Sequence, residues 1–154
     1  NATLNIGQTI GDFRIEEFAK VSADNHSESY FVSGQDGKKA LLKLYMDNAG
    51  DDVVEYQAGK VLPQSLSFVP MVASGSIEHN GCSYHYIVRD FIEGERLSDL
   101  IDEGKLYSWE QATPIVLQVL VALKHLHSQE PTIIHNDITA RNILIKEEGE
   151  NVRV

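Results

Sequence analysis

An aspartate and an asparagine stand five residues apart in the stretch Ile133-Ile134-His135-Asn136-Asp137-Ile138-Thr139-Ala140-Arg141-Asn142-Ile143-Leu144-Ile145. The Asp137 carboxylate can accept a proton from a hydroxyl, and the Asn142 amide oxygen can serve a hard cation. The flanking runs Thr132-Ile133-Ile134 and Ile143-Leu144-Ile145 are β-branched and aliphatic. Broken by Asn, Asp and Thr, they predict two short strands with a polar loop between them. A loop held at both ends is a stiff mount for chemistry. Ordinary turn chemistry is the competing account, because Asp and Asn readily hydrogen-bond their own backbone. A third group stands apart from these two: Lys43, alone in the apolar run Ala40-Leu41-Leu42-Lys43-Leu44-Tyr45. A cation in such a strand is costly to bury unless it meets an anion; otherwise its head reaches to water while its stem packs.

The elements that must position these groups follow from pattern. Residues 13–18 and 29–32 read as strands joined by a polar loop, 21–28. Gln35-Asp36-Gly37-Lys38 is a turn, and 40–45 is a third strand. Asp51-Asp52 opens a helix over 51–62, with acidic residues suited to its positive N-terminal end, and Pro63 closes it. Residues 69–76 and 83–90 read as two further strands around His79-Asn80-Gly81, a hairpin signal. A short helix spans 97–102. A long one spans about 108–127, with Ser108 and Gln111 forming a capping box. Pro114 is awkward inside it, so a start with Thr113 as the cap and Pro114 in the first turn is the other option.

The loop resembles the catalytic loop of protein kinases, His-Arg-Asp-x-x-x-x-Asn. The run Leu120-Val121-Ala122-Leu123-Lys124-His125-Leu126-His127-Ser128 ahead of it is similar to the end of the family's long C-lobe helix, and Ala40-Leu41-Leu42-Lys43 is similar to its Val-Ala-Ile-Lys. The resemblance implies an α+β fold: a kinase-like N-lobe of five antiparallel strands plus one helix, then the first helices and catalytic loop of the C-lobe. It implies an N-lobe over 11–89, a hinge at 90–94 and a partial C-lobe over 95–154. Residues 1–10 are left as an extension, with 1–2 set aside as a candidate tag scar. It further implies ATP and magnesium as cofactors. Asp137 would be catalytic base or orienter, Asn142 catalytic and a magnesium ligand, and Lys43 the clamp on nucleotide phosphates facing the same cleft. Glu55, twelve residues beyond Lys43, would pair with it, although Asp51 or Asp52 could compete. Asp90 and Ile92 of the hinge would offer backbone groups to an adenine edge, and Leu144 would form part of its floor. His135 would be a buried structural imidazole. His125, His127 and His135 match the family without a metal. The likeness stops where the family would next place Asp-Phe-Gly, a motif this sequence lacks, so the chain alone is expected to be an incomplete, inactive fragment.

Four departures bear on function. The three family glycines of the phosphate loop fall at Ser22, Asp24 and Ser27, and Asp24 and Glu28 would bring negative charge toward an anionic ligand. Leu41 takes the place of a small alanine above the adenine. Arg89 occupies the gatekeeper position, where an apolar residue is usual. Asn136 replaces the arginine before the catalytic aspartate. Within the loop, Thr139 stands where Ser/Thr kinases carry lysine, and Ala140-Arg141-Asn142 looks more like the tyrosine-kinase pattern.

Composition narrows the partners. A formal net charge of −10 over 154 residues argues against nucleic acid or an anionic membrane as the main partner. A single cysteine, Cys82, forbids an intrachain disulfide and fits a reducing, cytoplasmic setting. The three readings are a protein kinase acting on a protein substrate with Ser/Thr slightly favoured, a pseudokinase scaffold, and a small-molecule phosphotransferase of the choline-kinase kind. Apolar residues on more than one face of the long helix, among them Ile115, Val116, Val119, Leu120 and Leu123, imply self-association.

Overall fold

The computed structural model describes residues 2–22, 26–45, 68–148 and 151–153. The expected helix over 51–62, Glu55 and Asp24 lie outside the described residues. The chain divides into two compact units, one drawn from Asn1–Lys60 and Val69–Phe91, the other from Val61–Phe68 and Ile92–Val154.

The first unit is built on an antiparallel sheet of six strands: β1 (Thr9–Ile10), β2 (Phe13–Val21), β3 (Ser27–Gly34), β4 (Lys39–Tyr45), β5 (Met71–His79) and β6 (Cys82–Asp90), in the order β1-β2-β3-β4-β6-β5. All five expected strands are present, and β1 adds a short sixth at the edge, pairing Ile10 with Phe13. The β5–β6 hairpin turns on Asn80 (φ 52°) and Gly81 (φ 78°), the left-handed pair that a two-residue turn needs to follow the strands' twist.

Cross-strand register sorts the side chains onto two faces, since directly paired residues share one. Ile15, Val32 and Ala40 form one row; Tyr30, Leu42 and Val88 the next; Glu28, Leu44 and Tyr86 a third. Tyr30, Leu42, Leu44, Val88 and Ile15 have essentially no exposed surface, and Leu4 and Ile10 join the same core. The segment ahead of Gly11 is therefore anchored on this face through Leu4 and Ile10. Glu28 faces the same way and is buried. Its Oε2 accepts hydrogen bonds from the Tyr30 hydroxyl and, at 2.9 Å, from the Thr3 N–H; the Tyr30 oxygen accepts the Leu4 N–H at 3.0 Å. The expectation that Glu28 brings charge toward a phosphate is thus corrected. The strand begins at Ser27, and alternation turns Glu28 into the core, away from the face that carries Lys43.

The second unit contains β7 (Glu95–Arg96), α1 (Leu97–Asp102), α2 (Trp109–His127), a single 3₁₀ turn (Ala140–Asn142), β8 (Leu144–Glu148) and β9 (Asn151–Arg153). The three strands form a sheet in the order β7-β8-β9. Ser108 caps α2, its Oγ accepting the Gln111 N–H while Gln111 Oε1 accepts the Ser108 N–H. Of the two starts weighed above, the capping box is realised, and Pro114 sits inside the helix. Leu100, Ile115 and Ile145 make the core, with Leu97, Tyr107 and Ile143 against it. Gly94 allows close approach of β8: a Cβ there would lie 2.9 Å from the Ile145 carbonyl oxygen. No helix among the described residues is long and apolar enough to cross a membrane.

Candidate functional site

A long helix and a short strand hold the loop of residues 132–143. Upstream, α2 ends at His127, and the Ile133 N–H bonds the Leu126 carbonyl at 3.2 Å, serving one of the orphan acceptors of the helix end. Downstream, the 3₁₀ turn leads into β8, which pairs with β7 through Arg96 and Leu144; the Leu97 N–H anchors on the Ile143 carbonyl at 2.9 Å. The strand expected over Thr132–Ile134 does not form. Extended apolar residues need a partner ladder, and here the Ile133 donor is spent on the helix instead. Core apolar residues on both sides, Leu126 and Ile145, are buried, so the loop has a packed mount at each end.

Within the loop the two chemistry-bearing side chains come together. Asn142 Nδ2 donates to Asp137 Oδ2 at 2.7 Å and to the Asp137 carbonyl at 2.9 Å. The 3₁₀ turn places Asn142 for this, its own N–H bonding the Thr139 carbonyl at 2.9 Å. Because the amide nitrogen makes both contacts, the amide oxygen stays outside that pair as an oxygen ligand of the kind magnesium takes. Asp137 itself is exposed. Asn136 adopts φ 61°, a left-handed conformation that Asn tolerates better than most residues. His135 does not fit the expectation of a buried imidazole. It is exposed, and its Nδ1 accepts the Asp137 N–H at 3.3 Å. The ring is engaged by the loop's own backbone rather than by a core.

Lys43 belongs to the first unit. Register puts Phe31, Leu41 and Arg89 in one row of the sheet face opposite the core, Ser29, Lys43 and Ile87 in the next, and Ser27, Tyr45 and His85 in a third. Lys43 Nζ lies 4.7 Å from the centre of the Tyr45 ring. Arg89 is half-buried, and desolvation lowers its pKa from the ordinary guanidinium value; its interaction with Tyr45 works in the opposite direction. At the edge where the family's phosphate loop would lie, Ser22 and Ser27 close on each other. The Ser22 N–H bonds the Ser27 carbonyl at 2.8 Å and the Ser27 N–H bonds Ser22 Oγ at 2.9 Å.

The remaining candidates are placed as follows. Asp90 ends β6 opposite Ala40, and its N–H bonds the Pro70 carbonyl at 3.0 Å. The next N–H, of Phe91, bonds the Lys39 carbonyl at 3.4 Å. Ile92 begins the longer segment of the second unit, and Leu144 is the first residue of β8, half-buried. Tyr45 went unnoticed in the sequence, although its position two residues beyond Lys43 on a strand puts both on one face.

The protein kinase domain family model matches residues 69–154. A Corynebacterium efficiens protein named a probable serine/threonine-protein kinase is 36% identical over 121 residues, which are 73% of this chain and 18% of that protein. A Corynebacterium glutamicum protein named a probable serine/threonine-protein kinase, PknB, is 30% identical over 83 residues, 54% of this chain and 12% of that one. The chain thus spans less than a fifth of either relative. Among solved structures, the kinase domain of PknI from Mycobacterium tuberculosis, solved as a double mutant, superposes with a TM-score of 0.72 at 17% identity, covering 99% of this chain and 60% of that one.

Proposed function

This chain belongs to the protein kinase family, its first unit having the fold of the N-lobe and its second that of the opening of the C-lobe, and we propose that it serves ATP- and magnesium-dependent transfer of phosphate to a serine or threonine hydroxyl of a protein. The observation that carries this reading is the Asn142-to-Asp137 hydrogen bond of 2.7 Å on a mounted, exposed loop. Asp137 orients the acceptor hydroxyl and takes its proton. Asn142, fixed by that bond, presents its amide oxygen as a magnesium ligand. Bound magnesium supplies the charge neutralisation that a transferring phosphate requires. Lys43 contacts nucleotide phosphates, with Glu55 as its proposed acidic partner. Asp90 and Ile92 offer backbone groups to the adenine edge, and Leu144 packs beneath it. The relatives' names favour Ser/Thr over Tyr, and a reducing cytoplasmic setting suits the lone Cys82.

A second reading, a nucleotide-independent binding module, is favoured by one observation: the Ser22–Ser27 bonds consume N–H groups that a glycine loop would offer to phosphate. Thermal shift separates the two. MgATP at about 100 times its Kd stabilises a binding-competent fold by about 2.7 kcal/mol. We expect a clear rise in Tm that Lys43→Met abolishes. No rise with the unaltered chain would support the binding module. Without an Asp-Phe-Gly carboxylate, the 154-residue chain should bind but not turn over.

We also propose self-association through α2. Ile115 is buried, but Val116, Leu117, Leu120 and Val121 are each more than half exposed, an apolar strip of the kind that drives association. Sedimentation should show dimers or larger species at high concentration; a clean monomer there would count against it.

A further inference from the structure

We infer that Tyr45 is a positioning residue for Lys43, its ring helping to hold the amine in place for phosphate. The inference rests on the reading of Lys43 as a phosphate ligand. Three observations support it. Lys43 Nζ is 4.7 Å from the Tyr45 ring centre, within the range of a cation–π contact. The ring is itself fixed, only 4% exposed, so the contact draws a long, rotamer-rich side chain toward a rigid surface. Finally, Lys43 and Tyr45 are two apart on β4, and register brings Ile87 and His85 alongside them on the same face. The amine is therefore drawn along the strand toward Tyr45.

This chain has particular need of such a device. The hairpin at the phosphate-loop position has no glycine, and Ser22 and Ser27 hydrogen-bond each other. Charge for a phosphate must come more from side chains than from backbone N–H groups, and a side-chain charge is useful in proportion to how well it is placed. Tyr45 acts beside the proposed Glu55 partner and adds no charge of its own to the site.

The test compares the affinities of MgATP and of adenosine, which has the base and no phosphate, by calorimetry on the whole chain. Tyr45→Phe keeps the ring, and its MgATP affinity should stay within about twofold. Tyr45→Leu should weaken MgATP by about three- to tenfold and leave adenosine unchanged. Should Tyr45→Leu not fold, fluorinated phenylalanines at position 45 keep the shape and withdraw π density. MgATP affinity should then fall stepwise with each added fluorine while adenosine binding holds. Equal weakening of both ligands, an unchanged MgATP affinity in Tyr45→Leu, a flat fluorination series, or a Tyr45→Phe loss as large as that of Tyr45→Leu would overturn the inference. Lys43→Met is measured in parallel. If it leaves MgATP affinity unchanged, or if the unaltered chain binds no MgATP, the phosphate reading of Lys43 fails and takes this inference with it. If Lys43→Met weakens binding and the Tyr45 series does not, only the role of Tyr45 is refuted.

Discussion

Asp137→Asn should lower kcat for phosphate transfer by about 10²–10⁴-fold, the usual contribution of a positioned proton acceptor, with MgATP affinity nearly unchanged. The measurement is made on a polypeptide that also carries the Asp-Phe-Gly carboxylate of the family pattern. The substitution keeps shape and hydrogen bonding. The exposed Asp137 accepts from Asn142 Nδ2 at 2.7 Å, and an asparagine at 137 can turn its amide oxygen to the same donor. The backbone contacts, Asp137 N–H to His135 Nδ1 and Asp137 carbonyl to Asn142, do not involve the changed atoms. Tm should therefore move little, and the loss should fall on the chemical step. Asn142→Ala should behave differently. It removes the proposed metal ligand and the donor together, so it should raise the magnesium concentration needed for half-maximal rate as well as lower kcat. Turnover by Asp137→Asn within tenfold of the unaltered protein would mean that the carboxylate is ordinary turn chemistry.

That turn-chemistry account could not be dismissed from sequence, and the structure shows why the two overlap. Asp137 and Asn142 do hydrogen-bond locally, and the same bond fixes the pair. Signals read within a few residues came through well. Asn80-Gly81 specified its hairpin because few other residues adopt φ of 52° and 78°, and Ser108 with Gln111 specified the start of α2. Alternation along Lys39–Tyr45 put Leu42 and Leu44 in the core and Lys43 on the other face. What the sequence concealed depends on partners far along the chain. Thr132–Ile134 has the composition of a strand, but the Ile133 donor is taken by Leu126. Strand β1 has two residues and hence no period to detect. Glu28 looks like a loop acid because its polarity, taken alone, argues for exposure. Only the arrival of Thr3 and Leu4, about 25 residues earlier, explains how it can be buried.

That burial leads to the largest expected effect on stability. Tyr30→Phe should destabilise the first unit by about 2–4 kcal/mol, judged from a hydrogen bond to a carboxyl group together with an orphaned buried donor. The change deletes one oxygen. The ring stays edge-on to Phe18, with centroids 5.5 Å apart, and no large cavity opens. What is lost is the hydrogen bond to buried Glu28 and the acceptor of the Leu4 N–H. Residues 3–10 should loosen first, visible as faster amide exchange at Leu4. The alkaline limb gives an independent check. Burial, and next the Glu28 hydrogen bond, raise the Tyr30 pKa above its ordinary value of 10.0. The folded state then holds the phenolic proton where the unfolded chain releases it. The contribution is therefore complete below pH 10 and declines as pH rises above it. Urea unfolding of the unaltered chain should weaken across that window, and Tyr30→Phe should lack that part of the decline. A Tyr30→Phe protein within about 0.5 kcal/mol of the parent, the range of a neutral surface change, would show that Glu28 and Leu4 find other partners and that the N-terminal segment is not held by this hydroxyl.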